Sequence, residues 1–179
     1  MNFPRILKKR KGYIDRIKPF MQKSVAKVLT GQRRVGKSFL LYQLIEEILA
    51  EEPDANIIYV NLEDFTFSSL QTAEDLHSYI ISHSKEKVKN YIFIDEIQDI
   101  PGFEKVIRSL LLNEDNDIYI TGSNAKMLSG ELATYLSGRY IEFKIYSLSY
   151  SEFLEFHGLT ESETSYELYS RCLLYTSPS

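Results

Sequence analysis

Residues 31–38 read GQRRVGKS: Gly31 and Gly36 flank four residues, and Lys37 and Ser38 follow. This is the complete phosphate-binding pattern G-x-x-x-x-G-K-[ST]. A triphosphate is gripped by inward-pointing backbone N–H groups, and glycine permits the tight turn that aims them. Lys37 supplies a point charge for the β- and γ-phosphates, while Ser38 Oγ suits Mg²⁺. The nucleotide-binding stretch is taken as Gly31, Gln32, Arg33, Arg34, Val35, Gly36, Lys37, Ser38 and Phe39. Arg33 and Arg34 either add positive charge beside the phosphates or lie exposed without a role.

A second group follows at 91–96, YIFIDE. A strand ending in an acid sets Asp95 at the carboxyl edge of a sheet, where open α/β folds bind ligands. There it can hold Mg²⁺ through water, and Glu96 can orient and deprotonate an attacking water. At the end of YITGSN (119–124), Thr121, Ser123 and Asn124 could each hydrogen-bond that water or the γ-phosphate, although such residues are also ordinary turn formers. Arg139, in LSGRYIEF, has two readings. It is an arginine finger reaching the γ-phosphate of a neighbouring subunit, or a cap on the preceding helix.

Elements of alternating type must hold these groups in place. SVAKVLT (24–30) reads as a strand running into the glycine loop, and KSFLLYQLIEEILAEE (37–52) as a helix closed by Pro53. NIIYVNL (56–62) is a second strand, followed by a polar bend and a helix from Leu70 to about Lys85. KNYIFIDE (89–96) has no polar residue between Tyr91 and Ile94, as befits the centre of a sheet covered on both faces. A helix over 103–112 and a strand over 117–124 come next, then helical spacing around Met127, Leu128, Leu132 and Leu136. In YIEFKIY (140–146), Ile141, Phe143 and Ile145 alternate with Glu142 and Lys144, which assigns this strand to an edge. SYSEFLEFHG (149–158) reads as a helix stopped by Gly158. The alternation of strand and helix predicts an α/β fold with a parallel sheet.

The 179 residues suffice for one domain with a sizeable core. Apolar residues make up 44% and charged ones 26%, an ordinary globular balance. No apolar run reaches membrane-span length, and the single cysteine, Cys172, excludes a disulfide framework and a cysteine-based metal site. These features lead us to expect a cytoplasmic protein with no membrane partner. The net charge of −4 conceals an asymmetry: residues 1–40 carry 12 Lys and Arg against Asp15 alone, and the remainder carries 9 against 24 acids. The basic front end, with KKRK at 8–11, attracts nucleotide or nucleic-acid phosphate, or else pairs with the acidic body.

Taken together, GQRRVGKS, IFIDEIQDIPGFEKVIRSLL and IYITGSNAKMLSGELATYLSGRYIEFKIYSLSYSEFLEF resemble a group of AAA-type P-loop ATPases whose members are usually labelled simply as ATP-binding proteins. The resemblance spans roughly residues 12–157. It implies a P-loop NTPase three-layer sandwich with a five-stranded, mainly parallel sheet in the order 5-1-4-3-2. It implies Lys37 and Ser38 as ligands of ATP and Mg²⁺, Asp95 as the second Mg²⁺ residue, Glu96 as catalytic base, and a sensor at Ser123 or Asn124. ATP turnover would then drive conformational change, in a homo-oligomer or on a DNA or protein partner reached through the basic N-terminus or a further domain.

Relatives of this kind continue into a second domain, often with a Gly-Gly-x-Pro turn. We therefore expect an ATPase core over 1–158 and the start of a truncated region over 159–171. The chain ends in the adapter-like SRCLLYTSPS (170–179), and residues 172–179 are expected to be a non-native tail. Two other functions are weighed. A small-molecule kinase shares the phosphate loop, but no arginine cluster of the kind found in kinase lids follows residue 37. A non-hydrolysing, nucleotide-gated DNA-binding regulator fits the basic front end, but no helix-turn-helix is apparent. A GTPase is disfavoured by the absence of N-K-x-D.

Overall fold

In the computed structural model, residues 8–122, 135–136 and 138–176 are described. Five strands, β1 (Ala26–Thr30), β2 (Asn56–Asn61), β3 (Asn90–Asp95), β4 (Asn116–Gly122) and β5 (Tyr140–Lys144), form one sheet in the order β2-β3-β4-β1-β5. Every pairing is parallel, with Leu29 opposite Thr121 and Phe143, and Asn61 opposite Asp95. This is the expected order 5-1-4-3-2 read from the other edge.

The strand sequences account for that order. β1, β3 and β4 are buried along their whole length, as strands covered on both faces must be. β2 and β5 keep partly exposed residues and occupy the edges. In β5, Phe143 is buried while Glu142 and Lys144 are exposed, so the alternating pattern marks the edge strand as expected.

The two faces of the sheet differ in chemistry. One presents Val28, Ile58, Val60, Ile92, Ile94, Ile118 and Ile120 to α3 (Ala73–His83) and α4 (Phe103–Leu110). The other presents Tyr59, Tyr91, Phe93, Tyr119 and Phe143 to α1 (Lys11–Ile17) and α2 (Lys37–Glu51). Alternate side chains of a strand point to opposite faces, so a single six-residue strand such as β3 serves both cores. Phe93 and Tyr119 stack with centroids 4.5 Å apart.

The helix starts follow from local chemistry. Thr72 and Asp75 form a reciprocal capping box on α3, and Ser149 and Glu152 form another on α5 (Tyr150–His157). α5 stops at Gly158, which takes the left-handed conformation, as the sequence anticipates. Two helices have no counterpart in the sequence reading: α1, hidden in a charged run, and α6 (Glu163–Thr176), which continues through Cys172. Of the helical spacing expected around Met127, Leu128, Leu132 and Leu136, Leu136 is buried and the other three lie outside the described residues. Among the described residues, no helix is long and apolar enough to cross a membrane.

Candidate nucleotide site

β1 delivers the chain to the carboxyl edge of the sheet, and the glycine loop turns it into α2. Gly31 (φ 155°) has no room for a side chain: an added Cβ would stand 2.3 Å from the Ile145 carbonyl oxygen. Glycine is required here by the close approach of the strand-edge backbone. Gly36 (φ 92°) caps α2 in the left-handed region, and its surroundings are open. Gly31 therefore answers to packing and Gly36 to backbone conformation. α2 then points its free amides and positive dipole end along the loop.

Lys37 is buried within this turn. Its Nζ donates to the Gly31 and Gln32 carbonyls at 3.1 and 3.0 Å and stands 3.5 Å from Glu96 Oε1. Val35 is buried, whereas Gln32, Arg33, Arg34 and Phe39 are exposed. The Arg33 guanidinium pairs with Glu63, just past β2. Arg34 holds a left-handed conformation (φ 67°) that a non-glycine residue seldom adopts.

β3 brings Asp95 to the same edge, almost wholly buried. Thr121, from the end of β4, donates its hydroxyl to Asp95 Oδ1 and accepts the Glu96 backbone N–H at 3.0 Å. Tyr59, from β2, stands with its hydroxyl 3.3 Å from Asp95 Oδ2, and the Ser38 hydroxyl lies near enough to favour the charged form of the same carboxylate. Burial pushes the Asp95 carboxyl above its ordinary 3.8, and the Glu96 charge adds to this, while the hydrogen bonds from Ser38, Thr121 and Tyr59 oppose it. Burial likewise raises the Tyr59 phenol far above its usual range, so it stays protonated and able to donate.

Glu96 itself adopts φ 56°, ψ 47°, a left-handed conformation costing about 1–2 kcal/mol for a residue with a side chain. The surroundings hold it there. Thr121 takes its N–H, Lys37 faces Oε1, and Gln98 Nε2 donates to Oε2 at 2.7 Å. The single 3₁₀ turn Ile97–Asp99 carries Gln98 back over Glu96, and buried Ile97 and Ile100 anchor it in the core.

The structure thus gathers Lys37, Ser38, Asp95 and Glu96 at one edge of the sheet, Lys37 facing Glu96 and Ser38 beside Asp95. It assigns Thr121 to positioning Asp95 and Glu96. Ser123 and Asn124, the expected sensor positions, lie outside the described residues. Arg139 is exposed and precedes β5, at the amino edge of the sheet, where its carbonyl accepts the Ala26 N–H at 2.9 Å. A strand of five residues spans roughly 17 Å, so Arg139 stands away from the phosphate loop of its own chain.

Sequence reasoning missed Arg10, whose side chain is only 4% exposed. Its guanidinium donates to Glu152 Oε1 and Oε2 at 2.9 and 3.1 Å, to the Tyr146 carbonyl at 2.9 Å and to the Val35 carbonyl at 3.1 Å. It also lies 4.4 Å above the Tyr13 ring. Lys9 and Lys18 both pair with Glu47 on α2. The basic front end is therefore tied to the acidic body, and one of its residues braces the phosphate loop.

A family model described as an AAA domain matches residues 23–154. The chain belongs to the AAA domain family. This AAA domain is 42% identical over 169 residues to an uncharacterised protein of Haemophilus influenzae, a match covering 90% of the chain and 41% of that protein. It thus spans less than half the length of that curated relative. Among solved structures, the Aeropyrum pernix ORC1 protein in complex with DNA superposes with a TM-score of 0.61 at 14% identity, covering 87% of this chain and 50% of that one. AMPPCP-bound DnaA from Aquifex aeolicus gives 0.51 at 14% identity, over 89% and 55%. At those identities the likeness shows a shared fold, the parallel sheet with helices on both faces that carries the phosphate loop of this AAA domain.

Proposed function

We propose that this domain binds Mg–ATP and hydrolyses it to ADP and phosphate, coupling turnover to a change in a partner or a further domain. One observation carries the reading: the loop cation, the hydroxyl, the buried acid and the second acid meet at one edge of the sheet, with Lys37 Nζ 3.5 Å from Glu96 Oε1. Family membership supports it, as does the nucleotide analogue bound by the Aquifex DnaA relative in fold.

The residues divide the work. Loop amides from Gln32 to Ser38 and the N-terminus of α2 cradle the phosphates, and Lys37 exchanges the Gly31 and Gln32 carbonyls for phosphate oxygens. Ser38 Oγ and the Asp95 carboxylate, side by side at the sheet edge, are oxygen donors of the kind Mg²⁺ prefers, one or two per ion. When bound there, Mg²⁺ supplies charge neutralisation at the β- and γ-phosphates. Glu96 takes a proton from water as its oxygen attacks the γ-phosphorus, and the bond to the β-phosphate oxygen breaks.

Phosphate release from the purified protein, with ATP or GTP and with or without DNA, tests the reading. Mg-dependent release with ATP is expected. Tight ATP binding with no release above background overturns hydrolysis and favours the nucleotide-gated regulator.

A further inference from the structure

Among the described residues, one buried side-chain oxygen or nitrogen has no hydrogen-bond partner, and it lies beside Glu96: Gln98 Oε1. The amide orientation follows from its neighbours. Nε2 faces two carboxylates, Glu96 Oε2 at 2.7 Å and Asp99 Oδ1 at 3.4 Å, and both can only accept when ionised. Reversing the amide would set oxygen against oxygen, so Oε1 is the atom left over. An unmet buried acceptor is costly to keep. The Ile97–Asp99 turn, anchored by buried Ile97 and Ile100, nevertheless holds Gln98 in place.

We propose that Gln98 is a positioning residue for the Glu96 carboxylate, an inference that rests on the hydrolytic reading above. Its amide nitrogen, 2.7 Å from Oε2, fixes the Glu96 carboxylate in the orientation from which it takes a proton from the attacking water. During attack the new O–P bond forms, ADP leaves with the electron pair of the broken bond, and the proton passes to Glu96. The second O–H of the water is retained on the phosphate product.

The test compares the parent with Gln98→Met, of similar shape without hydrogen-bonding amide, and with Gln98→Glu, which sets a second carboxylate against Glu96. Affinity for a fluorescent ATP analogue with Mg²⁺ and the single-turnover rate at saturating ATP are measured on each, together with the thermal midpoint. We expect both variants to bind within about threefold of the parent and to turn over roughly a hundredfold more slowly, the scale of a misplaced reacting group. A general loss of structure would instead lower binding, turnover and midpoint together, and that outcome in both variants overturns a positioning role. Parent-like turnover in Gln98→Met overturns it as well, leaving the hydrolytic reading intact. If the parent itself releases no phosphate, the hydrolytic reading fails and this inference fails with it.

Discussion

Lys37 and Glu96, 59 positions apart in the chain, face each other at 3.5 Å across the gap between the phosphate loop and the end of β3. The lysine that should hold phosphate therefore neutralises the acid that should activate water. On the proposed reading, a bound triphosphate would draw Lys37 away and free the carboxylate as the reactant arrives. Lys37→Ala should weaken binding of a fluorescent ATP analogue by about tenfold or more, from the loss of charged hydrogen bonds worth about 1.5–3 kcal/mol. Unchanged affinity would mean the triphosphate binds elsewhere.

Glu96→Gln should leave that affinity in place and cut single-turnover hydrolysis by about a hundredfold or more, since the amide keeps the shape but accepts no proton. The left-handed backbone at 96 is held through the Thr121 hydroxyl, so the substitution should not disturb the turn. Parent-like turnover would remove Glu96 from the chemistry.

Gly31→Ala tests the loop through packing. Its Cβ would meet the Ile145 carbonyl oxygen at 2.3 Å, so the loop or the end of β5 must move. We expect a stability loss of about 1–3 kcal/mol by urea unfolding, together with weaker nucleotide binding. Gly36→Ala meets open space and should suffer only from its positive φ, a smaller loss. Equal losses at the two sites would contradict this distinction.

Arg10 and Glu152 predict a specific acid sensitivity. Burial alone would raise the Glu152 carboxyl, but hydrogen bonds from Arg10 and the Ser149 N–H, with the Arg10 charge, hold it below its ordinary 4.5. The folded state therefore favours the ionised form. Its contribution is complete above 4.5 and fades as pH falls through the lower folded value. Urea unfolding across this range should show the parent losing stability on acidification and Glu152→Gln losing less. Parallel profiles would mean the pair adds nothing to folding.

Arg139 stands apart from its own phosphate loop, which makes its role a question of neighbours. We expect activity per chain to rise with protein concentration, and Arg139→Ala mixed with Lys37→Ala to regain activity that neither has alone. An arginine supplied in trans contributes about a thousandfold to turnover, far above assay noise. No recovery on mixing, with concentration-independent activity, would assign Arg139 to the structure around Ala26.

What could be read in advance was whatever repeats along the chain. The glycine loop, the continuous apolar run of β3 and the alternation in β5 each carry a local period or motif, and they set the sheet and most of the site. The four residues at the centre, Lys37, Ser38, Asp95 and Glu96, were all legible. Arg10 was not, because KKRK looks the same whether solvated or buried. Only the fold brings the Val35 carbonyl and Glu152 to it from 25 and 142 positions away. Lys27 and Asp117 were hidden for the same reason: their buried ion pair joins the starts of β1 and β4, which the sequence separates by 90 residues. Gln98 gave no signal, since one glutamine after an acidic pair has no period and acquires meaning only when a 3₁₀ turn folds it back.

The Tyr59 hydroxyl beside Asp95 has an optical consequence. The chain contains 13 tyrosines and no tryptophan, so its ultraviolet emission comes from phenol rings alone. A phenol hydrogen-bonded to a carboxylate is dimmed in its excited state, and the dimming eases when that carboxylate turns to a cation. Arrival of Mg–ATP should therefore brighten the intrinsic fluorescence without any attached dye, and Tyr59→Phe should abolish the change. The site carries its own lamp.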